Sequence, residues 1–153
     1  MPSKDQQAGF TLVEIVCVLA MIGLLAALVL PAIPHATSRS RLAAYAVDVA
    51  ALLKGDRNAA MRQRALVATA LDMGGRTVRS GSTGSIVEIP VDVSFDALLA
   101  ERCEGRPVGA TIDFFPSGTS CGGVISIAKQ GVGFQIRVNW LTGGVEVVPI
   151  RKT

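Results

Sequence analysis

Glu14 is the ionisable residue whose position most clearly calls for a chemical role. It is the one charged residue in the 21-residue apolar run from Phe10 to Leu30. A carboxylate inside a membrane-spanning helix costs roughly 2.5–3.5 kcal/mol at mid-membrane and less near an end, so such residues tend to be kept for a function. Two interpretations follow: either Glu14 pairs with a cation inside an assembly, or it lies near the interface and reaches the lipid headgroups.

Two serine motifs in the C-terminal half match catalytic patterns only in form. Gly118 to Gly122 reads G-x-S-x-G, but a strand pattern follows it, whereas a nucleophile elbow needs a helix there and a histidine downstream. The one histidine, His35, lies upstream. Ser126 to Lys129 reads S-x-x-K within a predicted strand, where positions i and i+3 point to opposite faces. We therefore expect no enzymatic activity, and a membrane-anchored hydrolase using Ser120 is kept as an alternative.

Three cysteines set the expectations about redox chemistry and metals. Cys17 lies within the apolar run and is expected to behave as a small apolar residue. Cys103 and Cys121 both lie in the C-terminal part, and two such thiols often bridge in an oxidising compartment. The sequence leaves a Cys103–Cys121 disulfide and two free thiols as alternatives, because it does not give their separation. With no C-x-x-C pair and no phosphate-binding glycine loop, we expect neither a metal nor another cofactor.

The element that carries Glu14 is predicted to be a long helix. At about 1.5 Å rise per residue, its 21 residues reach roughly 31 Å, close to the hydrocarbon thickness of a bilayer. A cleaved secretory signal has a shorter apolar core of about 7–15 residues, so this run is expected to stay in the mature protein. We assign residues 10–30 to a transmembrane or filament-core helix. Pro31 and Pro34 predict a kink or a melted turn just beyond it.

The rest of the chain predicts a second helix and then strands. Residues 31–64 are expected to form an amphipathic helix whose apolar stripe follows 3-4-3 spacing. Asp56 and Arg57 fall largely off this stripe, which comprises Leu42, Tyr45, Val49, Leu52 and Ala59. Residues 65–153 alternate short strand patterns with turn residues, and residues 74–85 are expected to be a mobile loop. The predicted fold class is α+β: a long N-terminal helix, membrane-spanning in its first half, packed on a C-terminal antiparallel sheet or sandwich head.

The residues around Glu14 form a specific motif. A short polar segment ends in Gly9, Phe10 opens the apolar run, and Glu14 is its fifth residue. This arrangement resembles the type IV pilin superfamily. The resemblance implies that residues 1–9 are a leader, that a prepilin peptidase cuts between Gly9 and Phe10, and that Phe10 becomes N-methylated. The new amine would then offer a cation to Glu14 of a neighbouring subunit, and this pairing would fix the axial register of the packed helices.

Three C-terminal segments narrow the resemblance. They read IDFFPSG at 112–118, GGVISI at 122–127 and IRVNWLTGGV at 136–145. Their order resembles the H-type minor pseudopilins of the type II secretion system and the related FimT-type minor pilins, whereas residues 74–110 match poorly. The resemblance implies a single-pass protein of the bacterial inner membrane with its head in the periplasm, needed for export of folded proteins. Implied partners are the I, J and K types near the tip, the major G-type subunit and secreted substrates.

Charge bears on two further expectations. Lys and Arg total 15 and Asp and Glu total 12, a net charge of +3, and no basic cluster is interleaved with aromatic residues, so nucleic-acid binding is not expected. Arg151 and Lys152 are the candidate DNA-binding residues in the alternative function, a FimT-like minor pilin for pilus initiation or DNA uptake.

The charges that follow the apolar run bear on membrane topology. Arg39 and Arg41 precede any acid after this run, so positive-inside counting would place the C-terminal part in the cytoplasm. We expect the periplasm instead, because the leader resembles one that is cut on the cytoplasmic side.

Overall fold

A computed structural model describes residues 11–29 and 37–151, with backbone alone for residues 27–29. The chain divides into two compact units, residues 1–35 and residues 36–153. We call the second unit the head. The predicted cleavage positions, Gly9 and Phe10, and the predicted break at Pro31 and Pro34 lie outside the described residues.

The N-terminal unit contains one helix, α1, from Leu12 to Val29. Thr11 starts it, because its carbonyl oxygen accepts the backbone N–H groups of Glu14 at 3.0 Å and Ile15 at 3.3 Å. The predicted helix of residues 10–30 begins and ends on residues that are not described. Within the described part of the chain, no helix has both the length and the hydropathy needed to cross a membrane.

The head opens with a second helix, α2, from Arg39 to Gln63. Ser38 is its N-cap, and the Ser38 side chain accepts the backbone N–H of Arg41. Its C-cap is Arg64, which adopts the left-handed conformation and donates its backbone N–H to the carbonyl oxygen of Ala60. A helix was predicted over residues 31–64; the described helix starts eight positions later, where a serine cap can satisfy the first free N–H groups.

Ten strands follow, and neighbouring strands pair in antiparallel fashion throughout. The first sheet has the order β3-β2-β1-β7 and the second the order β10-β9-β8-β4. The first consists of β1 Val67–Asp72, β2 Thr77–Arg79, β3 Ile86–Glu88 and β7 Thr111–Phe114. The second consists of β4 Ser94–Leu99, β8 Gly123–Lys129, β9 Val132–Val138 and β10 Val145–Arg151. A separate hairpin pairs β5 Arg102–Cys103 with β6 Arg106–Pro107.

The α+β class predicted from the sequence is confirmed, and most strand patterns were placed within a few residues. The structure adds β2, which lies inside the segment 74–85 that was predicted to be a loop. It also adds β4, β5 and β6 in a region where no strand was predicted. Strands β2, β5 and β6 have three residues or fewer, which is too short to establish an alternating pattern. In β4, the half-buried Phe95, Ala97 and Leu99 alternate with exposed residues, but this pattern was not identified as a strand from the sequence.

The core of the head lies where α2 packs on both sheets. Every buried apolar side chain among the described residues falls between Leu42 and Val138, so the head holds a core of its own. The predicted stripe on α2 is mostly correct: Leu42, Val49 and Ala59 are buried, and Tyr45 and Leu52 pack partly against the core. One residue contradicts the stripe, because Asp56 is fully buried.

Candidate functional site

Glu14 lies in the first turn of α1. Its backbone N–H also approaches the Thr11 hydroxyl at 3.4 Å, and its side chain is exposed. An acid in the first turn is favoured by the partial positive charge at a helix N-terminus. Glu14 is therefore placed at the start of the helix with its carboxylate accessible to a partner.

The surface around Glu14 is apolar and uncovered. Every described side chain from residue 11 to residue 26 is exposed, including Leu12 at 80% and Leu24 at 68%. A helix that is apolar on all sides is normally buried in a bilayer or among other helices. The surface of helix α1 is therefore suited to a bilayer or to packing among other helices.

Asp56 is the centre of a hydrogen-bonded cluster inside the head. Its carboxylate accepts the hydroxyl groups of Thr69 at 2.6 Å, Ser80 at 2.6 Å and Ser82 at 2.5 Å. It also accepts the backbone N–H groups of Gly81 at 2.9 Å and Ser82 at 3.1 Å. One side chain of α2 thus holds β1 and the turn between β2 and β3 together, and the segment expected to be a mobile loop is instead tied to the core.

The environment of Asp56 explains why a charge can be buried there. Burial by itself raises the pKa of the Asp56 carboxyl, but the hydrogen bonds from Ser80, Ser82, Thr69 and the backbone of Gly81 outweigh it and hold the pKa below its ordinary value. Gly81 is needed at its position because a Cβ there would collide with the backbone of Ala68. The signal for this cluster was present in the sequence as polar residues around 80–85, but helical periodicity does not reveal their distance from Asp56.

Arg57, the next residue on α2, connects two turns of the head. Its Nε donates to the carbonyl oxygen of Gly118 at 3.0 Å and to that of Thr142 at 3.2 Å. The backbone of Gly143 lies close to both Gly118 and Arg57, since a Cβ added there would strike the Gly118 carbonyl oxygen and the Arg57 side chain. Arg57 therefore joins two of the three C-terminal segments that carry the pseudopilin resemblance, residues 112–118 and 136–145.

Cys103 and Cys121 are joined by a disulfide in the structure, with their Cα atoms 5.5 Å apart. Cys103 ends β5, and the backbone N–H of Cys121 donates to the carbonyl of Asp113 in β7. The bond therefore attaches the separate β5–β6 hairpin to the main body of the head. Cys17 is a free thiol on α1 and is exposed.

We expect the double substitution Cys103→Ser and Cys121→Ser to lower the free energy of unfolding of the head by about 3 kcal/mol, because the closed loop restricts the unfolded chain. Urea denaturation of residues 36–153, which hold a complete core, measures the difference. The oxidised protein treated with dithiothreitol should unfold at the midpoint of the double variant. Equal midpoints before and after reduction would contradict the bridge.

An exposed apolar patch lies beside the disulfide. We define it by Leu98, Trp140 and Leu141, whose side chains are 75%, 66% and 61% exposed. Trp140 lines two adjoining open cavities of about 580 and 410 Å³, and Cys121 lines both as well. Large exposed apolar residues that adjoin one another mark interaction surfaces, and the sequence analysis did not find this one because its residues come from different strands and turns.

Neither of the two serine motifs lies in a catalytic arrangement. Ser120 is buried, and its hydroxyl accepts the backbone N–H of Gly122 at 3.0 Å. The segment after it leads into β8 rather than a helix. Lys129 donates to Asp92 at 2.5 Å, and this contact is the chief cause that lowers the pKa of Asp92.

The one histidine, His35, lies outside the described residues. Among those residues, no group of acids, cysteines or histidines could hold a metal ion.

Comparison with known proteins gives matches at both sequence and fold level. The family described as the prokaryotic N-terminal methylation motif matches residues 4–30. The type II secretion system protein H of Xanthomonas campestris pv. campestris is 26% identical over 148 residues, which cover 97% of this chain and 87% of that protein.

Two solved structures share the fold. The minor pseudopilin EpsH from the type 2 secretion system of Vibrio cholerae has a TM-score of 0.55 at 13% identity, covering 70% of this chain and 95% of that one. The type IV minor pilin FimU of Pseudomonas aeruginosa has a TM-score of 0.51 at 19% identity, covering 74% of this chain and 92% of that one.

The N-terminal segment matches the methylation motif, and the α+β head shares the fold of EpsH and FimU, so the chain is similar to type IV pilin-like proteins. Within that class it resembles the H-type minor pseudopilins of the type II secretion system, as the sequence predicted.

Proposed function

We propose that this chain is a minor pseudopilin of the type II secretion system, a structural subunit of the pseudopilus needed to export folded proteins from the periplasm across the outer membrane. The observation that carries the proposal is that similarity to a type II secretion system protein H extends over 97% of the chain. It therefore includes the strands of the head as well as the methylation motif. The uncovered apolar surface of α1 supports a subunit that bundles with other helices.

Processing and assembly are proposed for the N-terminal residues. A prepilin peptidase removes residues 1–9 by cutting between Gly9 and Phe10, and Phe10 is N-methylated. Glu14 then pairs with the amine of Phe10 on a neighbouring subunit. The exposed position of the Glu14 carboxylate at the start of α1 supports this role.

The proposed location follows from the same assignment. Residues 10–30 anchor the unassembled subunit in the bacterial inner membrane with a single pass and later join the filament core. Residues 31–64 connect this segment to the β-rich residues 65–153, and both of these parts lie in the periplasm. That compartment is oxidising, which favours the Cys103–Cys121 disulfide.

The resemblance supports assembly of this chain with other pseudopilins. We further propose the I, J and K types as neighbours near the tip and the major G-type subunit below them. The apolar patch of Leu98, Trp140 and Leu141 offers a surface for such a neighbour or for a secreted substrate. We propose no catalytic activity, because Ser120 is held in the interior of a turn.

Deletion of the gene tests the proposed function. We expect an exoprotein of the host to accumulate in the periplasm and to disappear from the medium, and the wild-type gene in trans to restore secretion. Activity of the exoprotein in the two fractions is the measurement. Normal secretion by the deletion strain would contradict the proposal.

A minor type IV pilin is the second candidate, and the likeness of the fold to FimU favours it. In that case the deletion strain would secrete normally but lose surface pili or DNA uptake. Pili counted on the cell surface and transformation frequency separate the two candidates in the same strain.

A further inference from the structure

One end of the head carries a cavity of about 470 Å³ that the proposed function does not use. Its walls come from the start of α2, the turn between β8 and β9, and the end of β10. The lining combines an apolar floor, which includes Phe134, Val132 and Ile150, with two arginines, Arg39 and Arg151. A cavity with apolar walls and two cations is suited to an amphiphile that carries a negative charge.

The two arginines are available to a ligand. Both side chains are exposed, and within residues 37–151 neither guanidinium takes part in any of the side-chain hydrogen bonds or ion pairs found there. Asp92 is already engaged, because it accepts Lys129 Nζ at 2.5 Å and the backbone N–H of Thr37 at 2.9 Å. The cavity therefore presents positive charge that no described acid neutralises.

The start of α2 adds to the positive character of this end. Its first turn holds Arg39 and Arg41 and no acid. Cations are disfavoured at a helix N-terminus, where the helix dipole is itself positive. An anion bound beside Arg39 would relieve this conflict.

We infer that this cavity binds the phosphate headgroup of an anionic phospholipid, with the two guanidinium groups on the phosphate and the apolar floor against the glycerol and first acyl carbons. The inference rests on the proposed anchoring of α1 in the inner membrane. Helix α1 ends at Val29 and α2 begins at Arg39, and ten residues span at most about 36 Å even when fully extended. The cavity is thus within reach of the bilayer surface while the subunit awaits assembly.

This inference also accounts for the charges that conflict with positive-inside counting. Arg39 and Arg41 follow the apolar run, and that rule would place them in the cytoplasm. Contact with an anionic headgroup of the outer leaflet would give Arg39 a partner on the periplasmic side. Each basic residue near such a surface strengthens binding by about fivefold.

Vesicle co-sedimentation of the head, residues 36–153, tests the inference without depending on α1 or on secretion. We expect binding to vesicles that contain phosphatidylglycerol and none to pure phosphatidylcholine vesicles. The double variant Arg39→Gln and Arg151→Gln should bind roughly 30-fold more weakly. The matched control, Arg62→Gln and Arg79→Gln, removes the same charge from exposed positions elsewhere and should bind within about twofold of wild type.

Four results would overturn the inference. They are equal losses in the two double variants, equal binding to both kinds of vesicle, saturation by inorganic phosphate without vesicle binding, and binding of duplex DNA in place of vesicles with the same dependence on Arg39 and Arg151. None of them would affect the proposed role in secretion, which the deletion strain tests separately.

Discussion

The substitution Glu14→Gln is expected to abolish incorporation of the subunit into the pseudopilus while leaving its membrane insertion and processing intact. In the proposed filament core, Glu14 meets the cationic amine of Phe10 from a neighbour. Removing one partner of a buried ion pair leaves the other charge unpaired and costs about 3–5 kcal/mol. That corresponds to a loss of roughly a hundredfold or more in the subunit contact.

Three measurements on the variant distinguish this role from a folding defect. The membrane fraction should contain as much subunit as in wild type, its mature mass should correspond to a chain that starts at a methylated Phe10, and the medium should lack the exoprotein. Glu146→Gln makes the same chemical change at an exposed residue of β10 and should secrete normally. Secretion by Glu14→Gln at the wild-type level would rule out the pairing.

The second large effect is expected for Asp56→Ala, which should lower the free energy of unfolding of the head by at least about 3 kcal/mol. The substitution leaves the hydroxyl groups of Thr69 and Ser80 without the acceptor that they now contact at 2.6 Å each. Buried donors that lose their partner cost about 1–3 kcal/mol apiece. Because whole domains are stable by only about 5–15 kcal/mol, this change removes a large share of the total.

Denaturation of residues 36–153 in urea measures this loss. Asp48→Ala is the matched control, since Asp48 lies on the same helix but is exposed, and it should change stability by less than about 0.5 kcal/mol. Equal effects of the two substitutions would show that the Asp56 cluster does not stabilise the head. Hydrogen exchange at residues 80–85 adds a local readout, because the turn should open in Asp56→Ala.

Acid titration gives an independent check on the Asp56 cluster. The folded pKa of Asp56 is lowered from the ordinary value of an aspartate, and in an unfolded chain the group titrates at about 3.9. The stabilisation is therefore fully present above the unfolded pKa and is lost as the pH falls through the folded pKa. The stability difference between wild type and Asp56→Asn should be constant from pH 7 to pH 5 and shrink below about pH 4. A difference that grows in acid would contradict the lowered pKa.

Local patterns were sufficient to predict both helices and six of the ten strands of this protein. The apolar run with one acid at its fifth position predicted helix α1 and its proposed role in assembly. The stripe of Leu42 and Val49 predicted the buried face of α2, because residues three and four apart share one side of a helix. Strand alternation identified β8 and β9 for the same kind of reason.

Contacts between distant segments were decided by the tertiary structure alone. Three features join residues that are far apart in the chain. They are the burial of Asp56, the hydrogen bonds from Arg57 to Gly118 and Thr142, and the cavity that Arg39 and Arg151 both line. A periodic pattern records which side of its own element a residue occupies, but it does not record what the fold brings against that side. For that reason Asp56 looked like a residue outside the apolar stripe in the sequence, and five hydrogen bonds from β1 and the β2–β3 turn make it part of the core.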